Sequence, residues 1–160
     1  MPEAVRWFVL SALVIVLDQL SKVYFNGAYQ YGEVREVIPG LFNFVLVYNP
    51  GAAFSFLADA GGWQKFFFTA LAFAVSGWLG WQMVRGGQSR MMNLASALII
   101  GGALGNVIDR LIHGHVIDFI QVYYQHYYWP AFNLADSAIC LGAALMVLDS
   151  FRQPATRKPA

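Results

Sequence analysis

GGALGNVIDRLIHGHVIDFIQVYYQHYYWPAFNLADS, residues Gly101 to Ser137, is the stretch on which the reading of this chain turns. A glycine-studded apolar segment runs into Asn106, Asp109 and Arg110. An aromatic and β-branched segment then carries Asp118, and a second apolar segment opens with Asn133 and Asp136. Ionisable groups at the ends of segments long enough to cross a bilayer are costly. Such groups point to function by default, because each must be paired or solvated.

Working outward, the composition sets the class. Hydrophobic residues make up 58% of the chain and charged residues 12%, against about 25% charged in a soluble domain. Mean hydropathy is +0.51. With 160 residues there is one domain at most, spanning 1–160, and it is an integral membrane protein. The net charge of +1 supplies no basic face for nucleic acid. The single cysteine, Cys140, rules out a disulfide framework and a cysteine-based zinc site. Arg6 ahead of the apolar run Trp7–Leu17 has the look of a secretory signal. The run leads into Asp18-Gln19-Leu20-Ser21-Lys22, not a small-residue cleavage site, so it reads as a retained span.

Four segments approach the roughly 20 residues a spanning helix needs: 5–25, 63–84, 91–112 and 132–151. The second has Phe66–Phe68 near one end and Trp78 and Trp81 near the other, as an aromatic belt would place them. In the third, Ala97, Gly101 and Gly105 form a small-residue stripe that lets a neighbouring helix approach closely. Arg6, Arg85, Arg90, Arg152, Arg157 and Lys158 all fall on one side of this layout. That side is expected to be cytoplasmic, with both termini inside. Segments 26–62 and 113–131 then lie outside. Glu33–Ile38, a Pro39-Gly40 turn and Leu41–Tyr48 read as paired strands, and His115–Tyr124 as another. Asn49-Pro50-Gly51 stops the second strand, and Ala52–Ala60 suggests a short amphipathic helix lying on the membrane.

The intramembrane polar groups form three clusters, all at the extracytoplasmic helix ends. Asp18 and Lys22 are four apart on one helical face and can pair. Asn106, Asp109 and Arg110 share a face, and so do Asn133, Asp136, Ser137 and Cys140. For Asp18–Lys22 and Asp109–Arg110 the plain alternative is that each base snorkels to the interface and holds a nearby acid. Asp118 and Asp136 have no such partner: no base lies within four positions of Asp136, and the nearest to Asp118 are His113 and His115. Two carboxylates sharing a poorly solvated site cannot both ionise easily, so the pair holds one proton between them. That state suits peptide hydrolysis by a water activated between the two acids. Helix N-terminal placement favours Asp136 as the base and Asp118 as the acid, although the two titrate as a coupled pair. His113, His115 and Asp118 lack the pattern of a zinc site, and no serine has a matching histidine. A proton-coupled transporter would place its polar groups at mid-membrane between internal repeats, and no repeat is visible. A scaffold whose acids only hold helices together is the third reading.

Taken together, Asp18-Gln19-x-x-Lys22, Asn49-x-Gly51-Ala52-Ala53-Phe54, Gly105-Asn106-x-x-Asp109-Arg110, Val116-x-Asp118-Phe119 and Phe132-Asn133-x-Ala135-Asp136 resemble the motifs of the lipoprotein signal peptidase (signal peptidase II) family. These are bacterial membrane aspartyl proteases, and the motifs cover residues 18–140 in the family's order. The resemblance implies a membrane all-α bundle of four transmembrane helices with a small extracytoplasmic β-cradle and a short amphipathic helix. It implies Asp118 and Asp136 as the catalytic dyad. Asn49, Gly51, Asn106, Arg110 and Asn133 would line the site or hold substrate backbone, while Asp18, Lys22 and Asp109 would brace the helices. The implied substrate is a diacylglyceryl prolipoprotein, cut just before its lipidated lipobox cysteine. Membrane lipid and globomycin-type cyclic peptide inhibitors are the further implied partners, with no cofactor and no metal. The enzyme would act as a monomer in the bacterial cytoplasmic (inner) membrane, with its site facing outward and residues 53–60 as a lid.

Overall fold

The structure, a computed structural model, describes residues 3–50 and 62–152. Gly51, the expected helix over Ala52–Ala60, the proposed lid, Arg157 and Lys158 lie outside the described residues. In chain order the elements are α1 (Glu3–Ala28), β1 (Val34–Ile38), β2 (Phe42–Asn49), α2 (Gln64–Arg85), α3 (Arg90–Ile112), β3 (Val116–Tyr124), β4 (Tyr127–Tyr128) and α4 (Leu134–Arg152). Each expected span corresponds to one helix, and the largest displacement is at the end of α1, which runs to Ala28 rather than Phe25. All four helices are long and apolar enough to cross a membrane. Exposed Leu13, Leu20, Phe66, Phe73, Trp78 and Leu148 on their outer faces would be a liability in water and are the lipid-facing surface of a spanning bundle.

α3 is the axis. Its most apolar stretch is 61% buried, against 17–28% for the other three helices, and it packs on α1, α2 and α4. Small residues make this possible. A Cβ on Gly101 would sit 2.7 Å from Val14 Cβ and 2.8 Å from Ser11 O, and one on Gly105 would sit 2.6 Å from Asp18 Oδ2. The Ala97–Gly101–Gly105 stripe therefore fits against α1, and Ser11 Oγ donates to Ala97 O at 2.9 Å along the same seam. Gly102, one position round, faces the backbone of Ala135, and Gly142 of α4 faces Ala95 and Ile99. Two glycine faces on one helix let two neighbours approach from different sides.

The four strands form an antiparallel sheet in the order β1-β2-β3-β4. β1 and β2 are joined by the Pro39-Gly40 turn, closed by Leu41 N donating to Ile38 O at 3.0 Å with Gly40 at φ +76. The two-residue β4 was not expected from the sequence. The sheet is fixed to the bundle by Phe25, at the end of α1, whose ring stacks on Phe119 at 4.2 Å and lies 4.7 Å from Phe44. At the opposite end, Ser89 caps α3 by accepting from Met92 N at 2.9 Å, and it donates to Asp149 Oδ1 of α4 at 2.7 Å.

Candidate active site

Three helix ends and one strand meet beneath the sheet, held by a buried cation. Lys22 is 1% exposed and its Nζ lies 2.8 Å from Asp18 Oδ2, 2.9 Å from Asp109 Oδ2 and 2.9 Å from Asn106 Oδ1. All three N–H groups of the ammonium are used. Each acid also ties down a backbone donor. Ala135 N at the start of α4 donates to Asp18 Oδ1 at 3.0 Å, and Ile117 N of β3 donates to Asp109 Oδ2 at 3.1 Å. Gln19 Nε2 bridges Asp109 Oδ1 at 2.9 Å and Gly105 O at 3.1 Å. Lys22 does not snorkel, and Asp109 pairs with Lys22 rather than with its neighbour Arg110. Burying charges costs several kcal/mol per ion unless each is fully paired and hydrogen-bonded, and here each is.

A second layer of three asparagines stands between this hub and the two remaining acids. Asn106 Nδ2 donates to Asp136 Oδ1 at 2.7 Å. Asn133 Nδ2 donates to Asp118 Oδ1 at 2.7 Å and, more loosely, to Asn106 Oδ1 at 3.2 Å and Ile117 O at 3.3 Å. Asn49 Nδ2 donates to Asp118 Oδ2 at 3.2 Å. Asn133 also caps α4 reciprocally: Asp136 N donates to Asn133 Oδ1 at 2.8 Å, and Asn133 N donates to Asp136 Oδ2 at 3.3 Å. This is a capping box built from Asn and Asp. It fixes the Asp136 carboxylate to the first turn of α4. Asn133 precedes the helix instead of lying on its face as the sequence reading had it.

Asn49 reaches Asp118 because of a bulge. Phe44 faces Ile120, yet Val47 faces Asp118, so β2 carries one extra residue between them. Asn49, two beyond Val47, then projects to the same face as Asp118. Without the insertion Tyr48 would hold that position. Instead Tyr48 turns away, donating to Asn26 Oδ1 at 2.8 Å and packing its ring 4.3 Å from His115. Bulges re-aim side chains in this way next to functional sites.

Asp118 is 2% exposed. Burial, seconded by the charge of Asp136, pushes its carboxyl up to about 7, against the opposing pull of Asn49, Asn133 and Lys22. Asp136 opens onto a cavity of about 460 Å³ whose lining includes Asn49, Phe68, Arg110, Trp129, Phe132 and Cys140. Arg110 Nη1 donates to Asn106 O at 3.2 Å, and its guanidinium lies 5.6 Å over the Phe68 ring. His113 and His115 sit 5.9 Å apart. Burial lowers His115, with His113 adding to the effect.

A family model for signal peptidase (SPase) II matches residues 10–152. The chain belongs to the signal peptidase II family. It is 71% identical over 150 residues to the lipoprotein signal peptidase of Chromobacterium violaceum, covering 93% of each chain. The Neisseria meningitidis serogroup C protein of the same name is 57% identical over 145 residues, covering 91% of this chain and 88% of that one. Two solved structures described as bacterial membrane enzymes, obtained by the in meso method at 2.3 Å and 1.9 Å, superpose with TM-scores of 0.83 and 0.78. They are 28% and 29% identical, and the first covers 97% of this chain and 93% of its own. Membership makes this signal peptidase II chain an aspartic-type peptidase and a multi-pass bacterial membrane protein.

In this signal peptidase II chain Asp18, Lys22, Asn49, Asn106, Asp109, Asp118, Asn133 and Asp136 fall into one connected network, with Arg110 at its edge. Gly51 lies outside the described residues. Gln19 is a further residue of the site: its bridge from α1 to Asp109 and Gly105 O of α3 joins residues far apart in the chain, which no sequence spacing marks. Asp149 and Ser89, at the far end of the bundle, were missed altogether. The clue available was an acid within an apolar helix at Asp149 with a serine preceding α3.

Proposed function

We propose that the chain removes signal peptides from prolipoproteins, with Asp118 and Asp136 as the catalytic pair. Asp136 accepts the proton of a water held between them while that water adds to the scissile carbonyl carbon. Asp118, in its protonated form, donates to the carbonyl oxygen. The tetrahedral species collapses as a proton passes to the departing amide nitrogen, the C–N bond breaks and the pair returns to one proton. The observation that carries this reading is a single one: two acids joined through Asn133, Asp118 buried and Asp136 half-buried at the wall of an apolar cavity. A carboxyl held near 7 is protonated often enough at neutral pH to serve as the acid.

The finer assignments extend from there. The substrate carries diacylglycerol on its lipobox cysteine and is cut just before that residue. Its acyl chains lie against the lipid-facing helix surfaces, because a lipid-anchored residue can reach helix ends by lateral diffusion. Arg6, Arg85, Arg90 and Arg152 stand on the cytoplasmic side, leaving the sheet and the site outside. Globomycin-type cyclic peptides would block the site by occupying the space beside the dyad. The 1–160 chain works as one peptidase domain and as a monomer. In the decisive experiment Asp118→Asn and Asp136→Asn are made separately, their insertion and thermal unfolding are checked, and cleavage of a diacylglyceryl precursor is assayed. Both variants are expected folded and inactive. A folded variant that still cleaves would remove its aspartate from the dyad.

A further inference from the structure

We infer that Lys22 is a positioning residue for the reaction as well as a brace, acting on Asp136 through the Asn106 side-chain amide. This rests on the dyad reading above. The donors around Asn106 fix its orientation. Lys22 Nζ can only donate, so the Asn106 atom 2.9 Å from it must be the amide oxygen. Asn133 Nδ2, also a donor, points at the same oxygen from 3.2 Å. The Asn106 nitrogen is thereby forced toward Asp136, where it donates at 2.7 Å. Asp136 Oδ2 meets a second donor in Asn133 N at 3.3 Å, so both of its oxygens act as acceptors. An ammonium, an amide and a carboxylate thus stand in one polarised line, and the line ends on Asp136. Among the described residues, Lys22 has no such hydrogen-bonded route to Asp118 except through the looser Asn106–Asn133 contact. The hub thereby directs the shared proton to Asp118 and leaves Asp136 as the water-activating member.

The charged groups facing the pair come from every element around it. These are Asp18 and Lys22 from α1, Asp109 and Arg110 from α3, Asp118 from β3 and Asp136 from α4. Asp18 and Asp109 are taken up by Lys22 itself, and Arg110 stands on the cavity side. Among the described residues, Lys22 is the cation that reaches Asp136 through a bonded amide.

The test is the pH profile of precursor cleavage by the full chain, reconstituted in lipid, for Lys22→Met, Asn106→Ala and the double variant. A role confined to holding the helices would lower the amplitude and leave the limbs of the bell in place. Positioning through Asn106 moves the acidic limb upward by about one pH unit in each single variant. It also predicts that the double variant moves no further than the larger single change, because the two residues act along one line. Lys22→Gln, which keeps a donor toward Asn106 but no charge, is expected between wild type and Lys22→Met. If Lys22→Met does not fold, Lys22→Gln takes its place in the single and double variants, because it keeps a donor toward Asn106 and removes only the charge. Unmoved limbs in Asn106→Ala, or additive shifts in the double variant, would overturn the inference. Activity surviving in Asp118→Asn or Asp136→Asn would instead overturn the dyad reading on which it rests, so the two failures are distinguishable.

Discussion

Replacing Gly105 by alanine would place a Cβ 2.6 Å from Asp18 Oδ2. Ordinary contact begins near 3.4 Å, so the oxygen or the helix must give by 3.4 − 2.6, about 0.8 Å. The carboxylate cannot swing away cheaply, because Lys22 holds one oxygen at 2.8 Å and Ala135 N the other at 3.0 Å. α1 must therefore back off α3, stretching the Lys22–Asp109 and Lys22–Asn106 contacts that now stand at 2.9 Å. Overpacking of this kind costs about 1–3 kcal/mol, and weakening one charge-assisted hydrogen bond adds roughly 1.5–3 kcal/mol. Alanine returns about 0.5–1 kcal/mol through helix propensity, leaving a net loss of roughly 2–5 kcal/mol. Gly77→Ala in α2 is the matched control. Nothing lies within 4 Å of its added Cβ, so only the favourable propensity term remains. Thermal unfolding of the purified, lipid-reconstituted variants, followed by tryptophan fluorescence, reads the difference. A loss of several degrees is expected for Gly105→Ala, and no loss for Gly77→Ala. Equal melting temperatures would show that the α1–α3 seam is not as tight as described and that Asp18 is free to move.

Three further predictions rest on single contacts. Because burial raises Asp118 to about 7, its contribution to stability is fully present below the unfolded value near 3.8. It is lost as pH rises through about 7. Asp118→Asn should therefore flatten the fall in melting temperature between pH 5 and pH 8, an effect on the order of a few kcal/mol, and an unchanged slope would contradict it. Asn49→Ala removes one of the two amide donors on Asp118, and cleavage should drop by about tenfold or more with the fold retained. Wild-type rates in that variant would leave the β2 bulge without a role in the site. Ser89→Ala removes both the cap of α3 and its bond to Asp149. It should cost about 1–2 kcal/mol in melting experiments while leaving cleavage per folded molecule unchanged, because the residue lies at the opposite end of the bundle.

How far the fold could be read from the chain depended on the range of the interaction. The four spans were legible because hydrophobic length is a local property, and the Asp18–Lys22 pair because a four-residue spacing on a helix makes neighbours. The Pro39-Gly40 turn carried its own signature. The bulge in β2 was not legible. Phe44, Val45, Leu46, Val47 and Tyr48 are all apolar or aromatic, so no alternation marks where the parity changes, and Val45 and Leu46 are buried in succession. That hidden parity change decides whether Asn49 or Tyr48 faces Asp118. The partner of Asp109 was misread for a related reason. Arg110 is adjacent in sequence, but neighbours on a helix project about 100° apart, whereas Lys22 approaches from α1 across the glycine seam.

The site's polarity and its architecture are consequently one problem. Stripped of Lys22, the two acids Asp18 and Asp109 would face each other in a poorly solvated space, and the start of α4 and of β3 would lose the acceptors that hold Ala135 N and Ile117 N. Those same two backbone positions stand next to Asp136 and Asp118, one residue away in each case. A displacement at the hub must therefore arrive at the dyad within a single residue, as a change in the direction of a carboxylate as well as in its charge. Gly105→Ala separates the two consequences. It stretches the Lys22–Asn106 contact without removing the charge or the donor, so cleavage should fall in amplitude while the limbs of its pH profile move much less than in Lys22→Met. Lys22→Met alters charge and donor together, so its limbs should move. If Gly105→Ala moved the limbs as far as Lys22→Met does, the position of the helices alone would set the proton, and the amide line through Asn106 would be superfluous.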